Sequence, residues 1–506
     1  MSDHGDDWLR LDRRTVLVTA AVMTGVAGGA GLPVFFGLAG GMPWWQALAW
    51  VMAGAVVLIV GGAGADYVRW RRTRYRIGPE RAELHTGLLL VKRRTLARER
   101  IRSVDLTANP LLRILGLVEV RIGTGEHAGG GESTLELDPV TRAEGERLRR
   151  ELLDRAVAAG PGGHREGELA ALDLRWIRYA PVSFVAPLLG GAAAGAVMQV
   201  SEWFGAQGEV IDWTADRFRD TPLVWTIVVL AALALLSGVI GALGLWIEMW
   251  WNYRLEREPG GTLRVRRGLF TARSLSIEER RLRGVELVEP LGVRLCGAAR
   301  VDAVATGLVK DDDEQRADHK TLLTAAPRAA ADAVVALVLR ETGAPTSTPL
   351  VPHPRAARSR RLRWAVAVAL VPSLVLAAFG LLTMAVVCAV ILIPLAALLA
   401  LDAYRALGHA AAGDYVVARS GTIRRGTVAL QRGGVIGWTL KQSWFQRRAG
   451  LLTVTATTAA GDGAYAVYDA DEREVLDFAS HAVPGLLEPF LLRGASLARG
   501  PEGGGG

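Results

Sequence analysis

The chain has 506 residues, of which 50% are hydrophobic, and its mean hydropathy is +0.24. This apolar content exceeds what a soluble protein of this length needs for its cores, and it favours a membrane protein. The formal net charge of +8 is largely accounted for by arginines that flank the apolar segments, so we expect no nucleic-acid partner.

The first apolar segment, 15–65, contains no Asp, Glu, Lys or Arg. It is long enough for two helices of about 20 residues each, joined at the turn sequence Gly40-Gly41-Met42-Pro43. Trp44 and Trp45 then fall where an interfacial aromatic belt is expected. Because its apolar length far exceeds that of a signal peptide, we predict transmembrane hairpin 1 over 15–65 and expect Met1 to be retained.

Two further apolar hairpins are predicted. In the range 179–247, the segments 180–200 and 221–247 are separated by a polar loop with five carboxylates and two arginines. The range 364–401 is uncharged, and we interpret it as two short spans that break near Phe379-Gly380, with a single long helix as the alternative.

Arginines cluster at one end of every predicted hairpin. They occupy 10–14, 69–76, 175–178, 254–257 and 355–363. The positive-inside rule makes that face cytoplasmic, so we expect a multi-pass protein of the inner (plasma) membrane with both termini and all large polar segments inside the cell. Cys296 and Cys388 suggest no disulfide, in agreement with that compartment.

Each hairpin is followed by a repeated pattern. Glycines recur in pairs separated by 29 residues, each second glycine is preceded three positions earlier by an arginine, and an aliphatic residue lies between the two glycines. The glycine pairs are Gly87 and Gly116, Gly268 and Gly297, and Gly421 and Gly450. The arginines are Arg113, Arg294 and Arg447, and the aliphatic residues are Ile101, Leu282 and Val435.

Alternating apolar residues predict short strands in each copy, and each copy ends in a predicted amphipathic helix. Five to seven strands closed by a helix make a small barrel with protected edges. The resulting domains are 66–159, 248–341 and 402–495, with linkers at 160–178 and 342–363 and a disordered tail at 496–506. In the third copy the first predicted hairpin, 415–421, is very short. Gly434 precedes the repeated aliphatic residue, where the other two copies have Arg100 and Arg281. We therefore expect a distorted or specialised barrel in this copy.

The order of a tyrosine-led strand, a glycine-led hairpin, a basic-aliphatic phrase and the motif R-x-x-G-[LA]-x-x-V resembles the bacterial pleckstrin-homology-like (PH-like) domain of YdbS/YdbT-like membrane proteins. The resemblance covers most of the chain. It implies a multi-span α-helical membrane protein with three α+β PH-like domains, each a small β-barrel capped by a C-terminal helix. It also implies a membrane-tethered binding module and no enzyme activity.

Basic residues are the candidate ligand contacts. Some follow the first hairpin, where anionic headgroups lie, and others share alternating strand positions in copies one and two. They are Arg72, Arg74, Lys92, Arg93, Arg98, Arg100, Arg102, Arg281 and Arg283. The alternative interpretations are ordinary positive-inside flanks and a solvated barrel face. Because no basic pocket recurs in all three copies, a protein partner or self-association is favoured over membrane lipids.

Catalytic residues, cofactors and metal ligands are not expected, because no nucleophile with a base and no Cys/His spacing of a zinc site is present. Transporters place ionisable residues within their spans, and the spans here are uncharged inside. Gly25-x-x-x-Gly29 and Gly191-x-x-x-Gly195 offer small-residue faces for helix packing. The sequence therefore favours a non-enzymatic scaffold, with an accessory subunit of an export or envelope-maintenance system as the alternative.

Overall fold

The computed structural model describes residues 8–78, 80–86, 92–97, 101, 103–123, 134–153, 167–183, 185–306, 320–487 and 489. The predicted site residues Gly87, Arg98, Arg100 and Arg102 lie outside the described residues, as do 160–166 of the first linker and the tail 496–506.

The α-helices, in chain order, are α1 Thr15–Ala39, α2 Trp44–Arg72, α3 Pro110–Ile114, α4 Arg142–Leu153, α5 Val185–Trp203, α6 Gln207–Arg217, α7 Leu223–Trp250, α8 Leu291–Leu295, α9 Arg328–Leu339, α10 Arg355–Ala378, α11 Leu382–Arg405, α12 Trp444–Arg448 and α13 Glu472–Ala482. The strands are β1 Leu9–Arg10, β2 Arg74–Ile77, β3 Arg81–Thr86, β4 Lys92–Ala97, β5 Ser103–Ala108, β6 Leu117–Gly123, β7 Thr134–Thr141, β8 Gly167–Ala171, β9 Arg254–Glu258, β10 Thr262–Arg267, β11 Ala272–Glu278, β12 Leu282–Pro290, β13 Ala298–Ala305, β14 Thr321–Pro327, β15 Gly408–Ala412, β16 Tyr415–Ser420, β17 Arg424–Gln431, β18 Gly437–Lys441, β19 Leu451–Thr457 and β20 Ala464–Asp471.

Five helices of the described chain are long and apolar enough to cross a membrane: α1, α2, α7, α10 and α11. The break between α10 and α11 at Phe379-Gly380 confirms two helices in 364–401 and excludes the single-helix alternative. The predicted span 180–200 forms α5, which has 19 residues and is not among the five. The loop predicted between the second pair of spans contains a helix, α6, because its apolar residues recur at helical spacing.

Helices α5 and α7 pack closely through two glycines that differ from the predicted pair. A Cβ on Gly190 would lie 2.1 Å from the carbonyl oxygen of Ala234, and one on Gly238 would lie 1.9 Å from that of Ala186. A Cβ on Gly25, Gly29, Gly191 or Gly195 would meet nothing within 4 Å. Within this helix pair, backbone contact therefore depends on Gly190 and Gly238.

Three chain segments share one element order: three strands, a fourth strand, a short helix, two more strands and a terminal helix. We call them repeat 1 (β2 to α4), repeat 2 (β9 to α9) and repeat 3 (β15 to α13). Repeat 3 is as complete as the others, because β15 precedes the hairpin that the sequence indicated. The strand β15 reads GHAAA, which lacks the β-branched alternation that predicts strands.

The repeated glycines are explained by backbone conformation. Gly116, Gly297 and Gly450 have φ of +71°, +68° and +62°, and Gly268 and Gly421 have +111° and +101°. Side chains rarely adopt such angles, so glycine is required at these turns. The aliphatic residues between them, Ile101, Leu282 and Val435, are buried.

The arginine-to-glycine spacing reflects a helix end that occurs three times. The amide of each second glycine donates to the carbonyl of the repeated arginine, at 3.1 Å for Arg113, 2.9 Å for Arg294 and 3.3 Å for Arg447. The carbonyl of the same glycine then accepts from the first residue of the terminal helix, Arg142, Arg328 or Glu472. One glycine thus ends the short helix and anchors the start of the long one.

The chain divides into two compact units. The first unit comprises 1–282 and 289–340. It contains a four-stranded sheet in the order β1-β2-β3-β4 and a seven-stranded sheet in the order β7-β6-β5-β11-β10-β9-β8. Repeat 1 has a core that includes Leu84, Val104, Leu112 and Leu148. Burial of these side chains holds its strands in the four-stranded sheet against its strands in the seven-stranded sheet.

The second unit comprises 283–288 and 341–506. In it, the middle of β12 lies beside β17, β17 pairs with β16, and β16 pairs with β15. A separate three-stranded sheet has the order β18-β19-β20. Its core includes Val454, Val475, Ala479 and Leu487, so α13 packs on this sheet through its apolar face.

Candidate functional site: a groove in the second unit

Repeat 1 places some of the predicted basic residues side by side. Arg74 lies opposite His85, and His85 lies opposite Arg93, across three neighbouring strands. Arg74 and Arg93 are both exposed. The opposite face of the same strands carries Tyr75 and Leu84, which are buried in the core. Arg74 and Arg93 therefore lie on one exposed outer face of β2 to β4, and Arg72 precedes it as an exposed residue at the end of α2.

Arg281 is not available as a ligand contact. Its Nε lies 3.0 Å from a carboxylate oxygen of Glu278, its Nη1 donates to the carbonyl of Ile101 at 2.6 Å, and its side chain is 14% exposed. Arg283 is partly buried and its side chain lies over Gly434. Both arginines are used in packing, which sequence spacing could not distinguish from a ligand-facing position.

The second unit contains a groove with a volume of about 940 Å³. One wall is formed by α10 and α11, and the other by the end of the β18-β19-β20 sheet with α12. The lining residues are Arg360, Arg361, Trp364, Ala365, Val368, Ala369, Pro372, Leu392, Leu395, Ala396, Leu399, Ala400, Ala403, Lys441, Gln446, Thr453, Tyr468 and Asp469. Because α10 and α11 are candidate spans, the helical wall is apolar beyond Arg360 and Arg361 at the start of α10, whereas the sheet end is polar.

The polar end of this groove is organised around Asp469, whose side chain is 3% exposed. Its Oδ1 accepts from Arg360 Nη1 at 2.7 Å and from Gln446 Nε2 at 2.8 Å, and its Oδ2 lies 3.3 Å from Arg361 Nε. These contacts with a buried carboxylate fix both guanidinium groups at the groove.

Local sequence explains how Asp469 reaches this position. The ladder between β19 and β20 shifts register between Leu452 and Val454, beside Asp469, and Asp469 itself has φ of +54°. Such a bulge turns a side chain away from the sheet, and Asp tolerates the left-handed conformation better than most residues. Gln446 is held by a capping box with Ser443 at the start of α12, so its amide points at Asp469.

The groove carries an excess of positive charge. Its ionisable lining residues are Arg360, Arg361 and Lys441 against Asp469, which leaves two positive charges. The Nε atom of Arg360 is buried without a hydrogen-bond partner among the described residues. An apolar wall beside such a cationic end matches an amphipathic anion, with its charged group at the arginines and its chain along Val368 and Leu395.

A buried histidine pair lies at the base of α10. His353 Nε2 and His409 Nδ1 are 3.2 Å apart, and the ring of His409 contacts Phe478 edge-on at 4.6 Å. Burial lowers the pKa of both rings, to about 4 for His409. The folded protein therefore holds His409 neutral through the physiological range.

The second unit should lose stability in acid because of this pair. In the unfolded chain His409 takes up a proton near its ordinary pKa of about 6.5, but the folded chain resists until about pH 4. The stabilisation is complete above about pH 6.5 and falls as the pH drops, by on the order of 3 kcal/mol at pH 4. Thermal unfolding between pH 4 and 7.5 should show a smaller acid shift in His409→Gln. The exposed-site control His481→Gln should behave as the parent, and an equal shift in all three proteins would contradict this assignment.

Among the described residues, no group of three or more His, Cys, Asp and Glu side chains could hold a metal ion. Cys296 and Cys388 are free thiols, the first exposed and the second within α11.

The apolar helices and the comparisons support a multi-pass membrane protein with PH-like domains. The family model of the bacterial PH domain matches residues 29–156 and 366–482. The matched ranges contain repeat 1 and repeat 3, each with most of its preceding hairpin. This confirms the resemblance predicted from the sequence.

The chain is also similar to UPF0699 transmembrane protein YdbT of Bacillus subtilis (strain 168), with 23% identity over 270 residues. The match covers 50% of this chain and 53% of that protein, so the chain spans about half the length of the curated relative it matches. No solved structure matches the chain.

Proposed function

We propose that this chain is a non-enzymatic scaffold of the inner membrane that presents three PH-like modules on the cytoplasmic side, and that the third module binds the headgroup of an anionic lipid. The modules are repeats 1, 2 and 3, with repeat 2 assigned from its element order and glycine spacing alone. The observation that carries the lipid assignment is the groove, where an apolar helical wall meets a polar end with two excess positive charges.

The groove favours a lipid over a peptide for a physical reason. A peptide bound at a polar strand edge needs backbone donors and acceptors along its length. Here one wall consists of side chains from α10 and α11, such as Val368, Leu395 and Leu399, which offer no hydrogen bonds. A lipid already in the bilayer places an acyl chain against this wall without leaving the membrane, and its phosphate meets Arg360, Arg361 and Lys441.

Lipid binding is testable with Lys441→Glu, because Lys441 lines the groove but does not belong to the Asp469 ion network. Reversing one charge near the membrane surface should weaken binding of an anionic lipid by about 2 kcal/mol, or roughly thirtyfold. The measurement is titration of the full-length protein, in neutral nanodiscs, with phosphatidylglycerol.

Two controls make this test specific. Lys320→Glu changes the same charge outside the groove and should bind as the parent does. Leu395→Trp narrows the apolar wall without changing charge and should weaken phosphatidylglycerol binding as well. Equal affinity in the parent and in Lys441→Glu would refute the groove as the lipid site, and an equal loss in Lys320→Glu would indicate only non-specific surface attraction.

A second candidate function, an accessory role in export, is favoured by the region between α5 and α7. Helix α6 carries Glu209, Asp212 and Asp216 and lines a cavity of about 410 Å³ with the ends of α5 and α7. If this acidic helix handles an exported compound, neutralising the three carboxylates should change sensitivity to envelope-active compounds. An unchanged phenotype, together with loss of function when repeat 1 is deleted, would support the scaffold.

A further inference from the structure

The four-stranded sheet and the three-stranded sheet each correspond to one part of the seven-stranded sheet. The four-stranded sheet ends at β4, and the three-stranded sheet begins at β18. The seven-stranded sheet consists of the same two halves joined, since β7-β6-β5 corresponds to β20-β19-β18 and β11-β10-β9-β8 corresponds to β4-β3-β2-β1. Its added strand β8 pairs with β9 as β1 pairs with β2.

Two halves meet where the fourth strand of one repeat lies beside the third strand of the next repeat. We call this contact a joint, and it occurs twice in the chain. In the first unit, the fourth strand of repeat 1, β5, pairs antiparallel with the third strand of repeat 2, β11. In the second unit, the fourth strand of repeat 2, β12, lies beside the third strand of repeat 3, β17. Two strands remain at the ends of this series: the third strand of repeat 1, β4, and the fourth strand of repeat 3, β18. Among the described strands, each is the outermost strand of its sheet.

We infer that β18 of one copy pairs with β4 of a second copy, in the register of β5 with β11. The partner is thus another molecule of this same chain, joined head to tail. This inference deepens the proposed scaffold function, because it names a partner for the modules. The strand pairing itself is argued from the sheets, and only its biological role rests on the proposed function. Because the contacting surfaces differ, the contact is heterologous and adds copies into a ring or an open row.

The glycine spacing fixes the register of the proposed pair. Arg93 lies six residues after Gly87, as Ser274 lies six after Gly268, and Leu440 lies ten before Gly450, as Leu106 lies ten before Gly116. Ser274 is opposite Leu106, so Arg93 should be opposite Leu440. Both Arg93 and Leu440 are exposed in the single chain.

The faces of the strands also agree with this register. In the existing joint, Leu106 belongs to the core of repeat 1, whereas Ser274 lies opposite Arg266, away from the core residues Val265 and Ile277 of repeat 2. In the proposed joint, Leu440 pairs with the core residue Val454 of repeat 3, and Arg93 lies on the outer face of repeat 1. In the existing pair of strands and in the proposed pair, the core face of one module is therefore continuous with the outer face of the next module.

Charge supports the same partner. The outer face of β2 to β4 presents exposed Arg74, Arg81 and Arg93. The terminal helix of the third module, α13, presents exposed Glu472 and Asp477 beside one exposed base, Arg473. In the existing joint the corresponding helix, α4, reaches the outer face of the next repeat through Glu146, which pairs with Arg264 at 2.6 Å.

Cysteine crosslinking between two tagged full-length chains in isolated membranes tests the inference, with Cys296 and Cys388 replaced by serine. One chain carries Arg93→Cys and the other Leu440→Cys, so a disulfide joining the two tags can form only between copies. Directly opposite residues have Cα atoms about 4.5–5.5 Å apart, which a disulfide spans. We expect mild oxidation to give a mixed-tag dimer.

The matched control replaces Leu440→Cys by Thr439→Cys, which moves the thiol to the opposite face of the strand. We expect at least a fivefold lower dimer yield. Absence of the dimer in the first pair, or equal yields in both pairs, would overturn the inference. A chain that carries both cysteines and forms only an internal disulfide would overturn it too. None of these results depends on phosphatidylglycerol binding, so the self-association and the lipid proposal can fail separately.

Discussion

Replacing Asp469 by Asn is expected to lower the free energy of unfolding of the second unit by about 3–5 kcal/mol. Asp469 is 3% exposed and holds Arg360 and Arg361 at the end of the groove. The substitution retains the shape and the left-handed backbone conformation, since Asn tolerates φ of +54° as Asp does. What it removes is the charge, so two guanidinium groups lose their buried counterion.

The measurement is hydrogen exchange of the amides in β19 and β20 of the purified full-length protein, followed as the temperature is raised. Asp477→Asn on the exposed face of α13 is the matched control and should cost less than about 0.5 kcal/mol. A loss below 1 kcal/mol for Asp469→Asn would mean that solvent screens the two arginines, whose side chains are 26% and 23% exposed, and would contradict this prediction.

The sequence predicted the repeat well because its signals are local. Positive φ at Gly268, Gly297 and Gly450 requires glycine whatever the surroundings, so the spacing is visible without a structure. The apolar helices were visible from composition, with α5 shorter than expected. Strand β15 was missed, because a run of alanines has no alternation and its place in the sheet depends on pairing with β16.

The groove could not have been predicted, because its parts are far apart in sequence. Arg360 lies among residues that read as a positive-inside flank, and Asp469 reads as the beginning of the terminal helix. Of the groove residues, Gln446 alone has a local sequence signal, the capping-box spacing to Ser443 that occurs at the start of α12. The bulge that turns Asp469 towards Arg360 depends on strand pairing, which the alternation pattern does not specify.

The contacts at the joints between repeats could not be predicted from the sequence either. Arg264 and Ser274 alternate with apolar residues as in any half-exposed strand, and the pattern predicts solvent on their face. The structure places α4 there instead. The carboxylates of Glu146 and Glu258 lie between the guanidinium groups of Arg149 and Arg264, at 3.2 and 2.6 Å for Glu146 and 2.7 and 3.0 Å for Glu258.

Arg264→Met should therefore open the joint between repeats 1 and 2. The side chain of Arg264 is 4% exposed, and its loss leaves two carboxylates facing a single arginine, Arg149. The expected cost is about 3–5 kcal/mol for opening the joint. Hydrogen exchange in β5 and β11 should then accelerate by roughly two to four orders of magnitude, whereas exchange in β19, in the second unit, should not change.

The pH dependence of the variant distinguishes this charge effect from a simple packing defect. Burial raises the pKa of Glu146 and Glu258, but the hydrogen bonds and charges of Arg264 and Arg149 outweigh it and hold both carboxyls below their ordinary value. Without Arg264 their pKa values rise, so acid protonates them and relieves the unpaired charge. The difference between variant and parent should therefore shrink as the pH is lowered towards about 4.5. Arg254→Met, which removes the exposed 3.9 Å pair with Glu168, should cost less than about 1 kcal/mol. A penalty for Arg264→Met that is independent of pH would show that packing of the side chain, and not its charge, holds the joint together.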